Sequence, residues 1–198
     1  MKIKICGLFR DCDIDYVNEA KPDFIGFVFA KSRRQVSAGQ AEALRNRLSS
    51  GITSVGVFVN EPLASVAKLL DAGVIEIAQL HGGENEEYIQ ELKARTQKPV
   101  IKALRVSSHA DIEAAQRTAA DYLLLDNGTG GTGARFDWSV VGTVAKPFFL
   151  AGGLNADNIE QAIAATHPYA ADLSSGVETA GVKDRDKILE IVRRIRYV

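Results

Sequence analysis

Short runs of apolar residues alternate along this chain with longer segments whose apolar positions recur every three or four residues. The first pattern reads as strand and the second as amphipathic helix. Strand-like runs fall at residues 2–6 (KIKIC), 23–29 (DFIGFVF), 54–59 (SVGVFV), 75–80 (IEIAQL), 99–104 (PVIKAL), 121–125 (DYLLL), 147–151 (PFFLA) and 169–173 (YAADL). Helical spacing follows each of them, over residues 13–20, 38–48, 62–70, 84–95, 108–118, 138–144, 155–165 and 184–196. Asp13 and Ser37 are placed to cap two of these helices, and Pro62 suits a first turn. Gly26 interrupts the second strand, as expected where a neighbour approaches closely.

Eight strand–helix units imply an α/β fold with a parallel sheet covered by helices. Closed on itself, that sheet is a single (β/α)8 TIM barrel of eight parallel strands, one domain over residues 1–198, near the lower size limit of about 200. The competing architecture is an open doubly wound sheet. Its dinucleotide-binding form is weakened because no GxGxxG follows the first strand.

In such a barrel, functional groups gather at the C-terminal ends of the strands. Read in order, those ends carry Cys6-Gly7, Arg33-Arg34, Asn60, His81-Gly82-Gly83, Asp126, Gly152-Gly153 and Ser174-Ser175-Gly176. The glycines and serines after the last two strands match a barrel phosphate site, built from backbone N–H groups and a short helix N-terminus. Asp126 ends an apolar run, and a partly desolvated carboxyl group suits general acid work. Cys6 is a candidate base if nearby positive charge favours its thiolate. Strand parity puts Lys2, Lys4 and Cys6 on one face and Ile3 and Ile5 on the other. A lysine on the inner face needs a partner, and Asp172 on the eighth strand becomes its neighbour once the barrel closes. One of Arg33 and Arg34 is suited to clamp a carboxylate. His81 either orients a ligand or satisfies backbone groups. Residues 128–133 (GTGGTG) lack the GK[ST] ending of a P-loop and read as a lid beside Asp126.

Composition narrows the function further. Of 198 residues, 46% are hydrophobic and 25% charged, and the net charge is −1. That balance offers no general attraction for nucleic acid or an anionic membrane, while leaving room for a small anionic substrate. Two cysteines, Cys6 and Cys12, make neither a disulfide framework nor a metal-ligand pattern. No apolar run reaches membrane-spanning length. A reducing cytoplasm is the expected location.

The chain resembles the phosphoribosylanthranilate isomerase family of tryptophan biosynthesis. The resemblance rests on an ordered series spanning almost the whole sequence: KICG (4–7), DFIGFVF (23–29), SRR (32–34), VGVFVN (55–60), QLHG (79–82), LLLD (123–126), GGTG-x-x-FDW (130–138), AGGLN (151–155) and DLSSGVE (172–178). It implies an Amadori rearrangement, an aldose–ketose isomerisation of a sugar phosphate, with Asp126 as general acid and Cys6 as general base. It also implies Arg34 on the substrate carboxylate and Gly152, Gly153, Ser174, Ser175 and Gly176 on the phosphate. His81, Asp172, Gly131, Thr132 and Gly133 are further pocket candidates. No metal or cofactor is implied, and the protein is expected as a monomer or homodimer. Two departures stand out: Phe9 where threonine is usual, and Ala134 where lysine is common. The alternatives are the histidine-pathway aminoaldose isomerase, which has aspartate in the base position, and a non-catalytic barrel that binds a phosphate ligand.

Overall fold

The computed structural model describes residues 1–126 and 138–197. Eight parallel strands close into a barrel: β1 (Lys2–Cys6), β2 (Phe24–Val28), β3 (Thr53–Phe58), β4 (Ile77–Leu80), β5 (Val100–Arg105), β6 (Tyr122–Asp126), β7 (Phe148–Leu150) and β8 (Ala170–Leu173). The expected TIM barrel is therefore the fold. Closure is made by β8 against β1, in a register that sets Lys4 directly opposite Asp172. The surrounding helices are α1 (Asp11–Ala20), α2 (Ala38–Asn46), α3 (Leu63–Asp71), α4 (Glu86–Thr96), α5 (His109–Ala115), α6 (Ile159–Thr166) and α7 (Arg185–Arg196). No helix among the described residues is long and apolar enough to cross a membrane.

The period-2 alternation sorts the strand residues into two cores. Ile3, Ile5, Leu123, Leu125 and Leu150 join the layer between strands and helices. Phe24, Val55, Ile77, Ile101, Leu124 and Phe149 fill the barrel interior. The interior is sealed by edge-to-face aromatic contacts, with Phe24 and Phe149 centroids 5.3 Å apart and Tyr122 and Phe149 5.7 Å apart. Lys2 caps this cluster, its ammonium 5.1 Å from the Tyr169 ring centre. Lys4 and Cys6 face the same interior nearer the opposite, C-terminal mouth.

Local signals set most helix starts. Ser37 caps α2 by accepting from Gln40 N–H at 3.2 Å, and Asp184 caps α7. Two expectations need correction. Asp13 is not an N-cap: α1 starts two residues earlier, and Asp13 lies inside it, reaching back to the N–H groups of Phe9 and Arg10. The helix expected over residues 138–144 is only a three-residue 3₁₀ turn, Trp138–Val140. The chain there runs into Gly142 at φ 54°, a left-handed conformation that ends helical geometry, and the flanking β-branched residues resist it further. Helix α6 also starts later than expected, at Ile159, after a turn in which the Asn158 side chain accepts from Asn155 N–H at 2.9 Å. A short antiparallel hairpin, β9 (Glu178–Thr179) and β10 (Val182–Lys183), was not anticipated.

Candidate active site

Cys6 ends β1 and pairs in register with Gly26 of β2. The glycine is what gives the thiol its place, since a Cβ there would lie 2.6 Å from Cys6 Sγ. Gly26→Ala is expected to displace the thiol and to destabilise the fold by about 1–3 kcal/mol. A urea midpoint unchanged from wild type would refute this. Burial pushes the Cys6 thiol pKa up. The Lys4 charge pulls it down, Asp172 pushes it up again and Lys183 pulls it down, and the net direction is up.

Lys4 is fully buried, with Nζ 3.0 Å from Asp172 Oδ2. The pairing anticipated from strand parity is present. Burial works against the ammonium, but the Asp172 carboxylate, with a smaller pull from the Cys6 sulfur, outweighs it, so its pKa is raised. The other Asp172 oxygen, Oδ1, is buried without a hydrogen-bond partner among the described residues. Lys4 Nζ also donates to Gln79 Oε1 at 2.9 Å, and Gln79 Nε2 lies 3.1 Å from His81 Nδ1. His81 Nε2 in turn is 3.7 Å from Asp126 Oδ2. A chain of side chains thus crosses the mouth from β8 through β1 and β4 to β6. It holds the neighbourhoods of Cys6 and Asp126 in one constellation. Burial pushes the His81 pKa down, as do the Lys4 and Lys102 charges, against Asp126 and Asp172.

The hairpin adds a second constellation. Its turn is made by Ala180 and Gly181, both at positive φ (51° and 82°), which matches the twist of two adjacent strands. This sets Glu178 opposite Lys183. Glu178 accepts from Arg34 Nε at 2.6 Å and Arg34 Nη2 at 2.8 Å, from Arg33 Nη2 at 2.7 Å and from Lys183 Nζ at 2.6 Å. Burial pushes Glu178 up, but Arg34 and Lys183 together hold it below the usual carboxylate range. Lys183, the more deeply buried partner of a shared carboxylate, is shifted down by its burial. Arg34 crosses Gly7, where an added Cβ would lie 2.5 Å from its Cδ. Its contacts with Glu178 use Nε and Nη2, so the Nη1 edge is the one left to meet a ligand.

Gly152 and Gly153 adopt φ of 89° and 69°, and a 3₁₀ turn over Ser175–Val177 follows β8. A Cβ on Gly176 would overlap the Leu154 carbonyl oxygen, so the loops after β7 and β8 touch through their backbones. The Ser174 hydroxyl is already committed, donating to the Cys6 carbonyl at 3.1 Å, and its own carbonyl accepts from Lys183 at 3.0 Å. Any ligand contact from this segment is left to Ser175 and backbone N–H groups. Gly131, Thr132 and Gly133, with the rest of the expected lid, lie outside the described residues.

The structure brings Cys6, Asp126, His81 and Asp172 together at one mouth and sets Arg34 beside Gly7 and Glu178. Three participants escaped the sequence reading. Gln79 opens the QLHG motif, and its alternation with His81 on one strand face is the signal that marks it. Glu178 closes the DLSSGVE motif without any sign there of its partners, and Lys183 carries no local mark beyond the Ala-Gly turn between the two.

Ionisable and glycine-rich strand ends at the C-terminal mouth of a closed parallel barrel place the chain among the (β/α)8 barrel enzymes. The family model of N-(5'phosphoribosyl)anthranilate (PRA) isomerase matches residues 3–194. A relative from Endomicrobium trichonymphae, N-(5'-phosphoribosyl)anthranilate isomerase, is 49% identical over 199 residues, covering 98% of each chain. The crystal structure of phosphoribosyl anthranilate isomerase from Thermus thermophilus superposes with a TM-score of 0.90 at 33% identity, over 100% of this chain and 99% of that one. A further phosphoribosyl anthranilate isomerase, solved in complex with reduced 1-(o-carboxyphenylamino)-1-deoxyribulose 5-phosphate, gives a TM-score of 0.86 at 32% identity over the whole of both chains. The chain belongs to the N-(5'-phosphoribosyl)anthranilate isomerase family.

Proposed function

We propose that the protein isomerises N-(5-phosphoribosyl)anthranilate to 1-(2-carboxyphenylamino)-1-deoxyribulose 5-phosphate, a step of tryptophan biosynthesis, with Asp126 and Cys6 as the acid–base pair. The observation that carries the reading is the side-chain chain across the mouth, Asp172–Lys4–Gln79–His81–Asp126, with the Lys4 charge acting on Cys6 at its other end. Asp126 donates a proton to the furanose ring oxygen. The C1–O bond breaks, and the nitrogen lone pair forms a C1=N Schiff base. The Cys6 thiolate then removes the C2 proton. The C–H electron pair becomes the C1=C2 bond, and the C=N pair returns to nitrogen. The resulting enolamine gains a proton at C1 and loses one from the C2 hydroxyl, giving the ketose. Burial raises the pKa of the Cys6 thiol; the cationic Schiff base adds a positive charge beside it that favours release of the thiol proton to solvent, so the thiolate is favoured after the acid has acted.

Arg34 takes the anthranilate carboxylate through its Nη1 edge while Glu178 holds the guanidinium plane. The backbone around Gly152, Gly153, Ser174, Ser175 and Gly176 takes the phosphate, and Asp172 Oδ1, without a partner among the described residues, suits a substrate hydroxyl. Gly176→Ala, which forces the two loops apart, is expected to raise KM about tenfold and to change kcat much less; an unchanged KM would remove Gly176 from the phosphate site. Both cysteines are free thiols, which suits a reducing cytoplasm. The protein acts as a monomer or homodimer. The decisive assay follows loss of phosphoribosylanthranilate fluorescence with the pure protein, and absence of turnover refutes the reading.

A further inference from the structure

Donor and acceptor counting along the chain of side chains leaves a single assignment. The Lys4 ammonium has donors only, so the group Gln79 presents to it at 2.9 Å must be the amide oxygen. That choice turns the Gln79 NH₂, also donors only, toward His81 Nδ1 at 3.1 Å. Nδ1 must therefore accept. A neutral imidazole that accepts at Nδ1 carries its proton on Nε2, the nitrogen 3.7 Å from Asp126 Oδ2. We infer that Gln79, itself oriented by Lys4, is a positioning residue that locks His81 in the Nε2–H tautomer facing Asp126, so that His81 donates to the Asp126 carboxylate as it forms.

The inference rests on Asp126 being the general acid. Its consequence is directional. His81 cannot take the acid's proton, because Nε2 already bears one and Nδ1 is engaged by Gln79. The proton of Asp126 goes to the substrate, and the carboxylate left behind gains a donor once the pair closes by about 0.7 Å to hydrogen-bonding distance. An imidazolium is disfavoured, since its Nδ1–H would point at the amide N–H of Gln79. The charged groups that face the ring agree on balance. Lys4 on β1 and Lys102 on β5 oppose a positive ring, Asp126 on β6 and Asp172 on β8 favour it, and burial tips the outcome toward the neutral form. One lysine thereby serves both ends of the mouth, since its charge acts on Cys6 and its proton orders the partner of Asp126.

The test is the imidazole spectrum of ¹⁵N-histidine-labelled protein, with the His81 signals identified by their loss in His81→Asn. The Nε2–H pattern is expected across neutral pH. A Nδ1–H pattern, an even mixture or an imidazolium at neutral pH overturns the inference. Gln79→Glu provides a signature that a purely structural role would not produce. Its carboxylate keeps a proton on Nδ1, so only the imidazolium still donates from Nε2. The variant's kcat is expected to fall about tenfold as pH rises through the His81 titration, a step absent from wild type. A loss independent of pH, or no loss, overturns the role. Gln79→Met should release both tautomers and lower kcat about threefold, and a wild-type spectrum in that variant would also overturn it. Should Asp126→Asn keep its rate while the spectrum stays Nε2–H, the acid assignment fails and the tautomer lock stands.

Discussion

Cys6→Ala is expected to lower kcat at least about 100-fold, and Asp126→Asn at least as much, the low end for losing a general base or acid. Both substitutions remove a proton carrier and leave the substrate's charged groups untouched, so KM should move little. The two losses should not multiply. Asp126 acts on ring opening and Cys6 on C2–H abstraction, so the double variant is limited by whichever step is slower. The assignment of steps can be separated from the loss of rate. With alanine at position 6, C–H cleavage becomes rate-limiting, and substrate deuterated at C2 should react several-fold more slowly. With asparagine at position 126, ring opening limits, and the deuterium effect should shrink toward unity. Near-wild-type turnover in either variant would end the acid–base proposal. Opposite isotope effects would exchange the roles.

Lys4→Met should be the most damaging single change to stability. It leaves the Asp172 carboxylate buried without its cation, a loss of about 3–5 kcal/mol for a broken buried pair. Urea unfolding of Lys4→Met/Asp172→Asn provides the control. Removing both charges should restore most of that loss, because the cost comes from the orphaned carboxylate rather than from the missing lysine. The same substitution should act on the thiol. The Lys4 charge pulls the Cys6 pKa down and Asp172 pushes it up, so removing Lys4 alone moves the thiol further up. In a Cys12→Ser background, alkylation of Cys6 should therefore need higher pH than in the parent, since only the thiolate reacts. An unshifted alkylation profile would show that Lys4 does not tune the base.

Much of this site is legible in the sequence. The run from Lys2 to Cys6 shows its two faces by alternation alone, and from that parity the inner position of Lys4 and its need for a carboxylate both follow. Closure of eight units then points to Asp172. Gly26 carried the expectation of a close neighbour, and the neighbour is the Cys6 thiol. The helix expected over residues 138–144 failed because its apolar spacing was right while Gly142 takes a left-handed conformation that spacing does not report.

Periodicity in the sequence records which side of each strand is buried, and glycines record where the backbone must turn or come close. Those are local, per-residue constraints, and they determined the barrel, the identity of its C-terminal mouth and the residues at each strand end. Hydrogen-bond partners are set by register between strands and by turns that bring distant segments together. Only the tertiary structure could place Glu178 and Lys183 across a hairpin, commit Arg34 to Glu178, and join Lys4 to Asp126 through Gln79 and His81. The reason is physical: a donor's partner is chosen by distances of about 3 Å in space, and apolar patterning contains no information at that scale about residues 75 or 168 positions away.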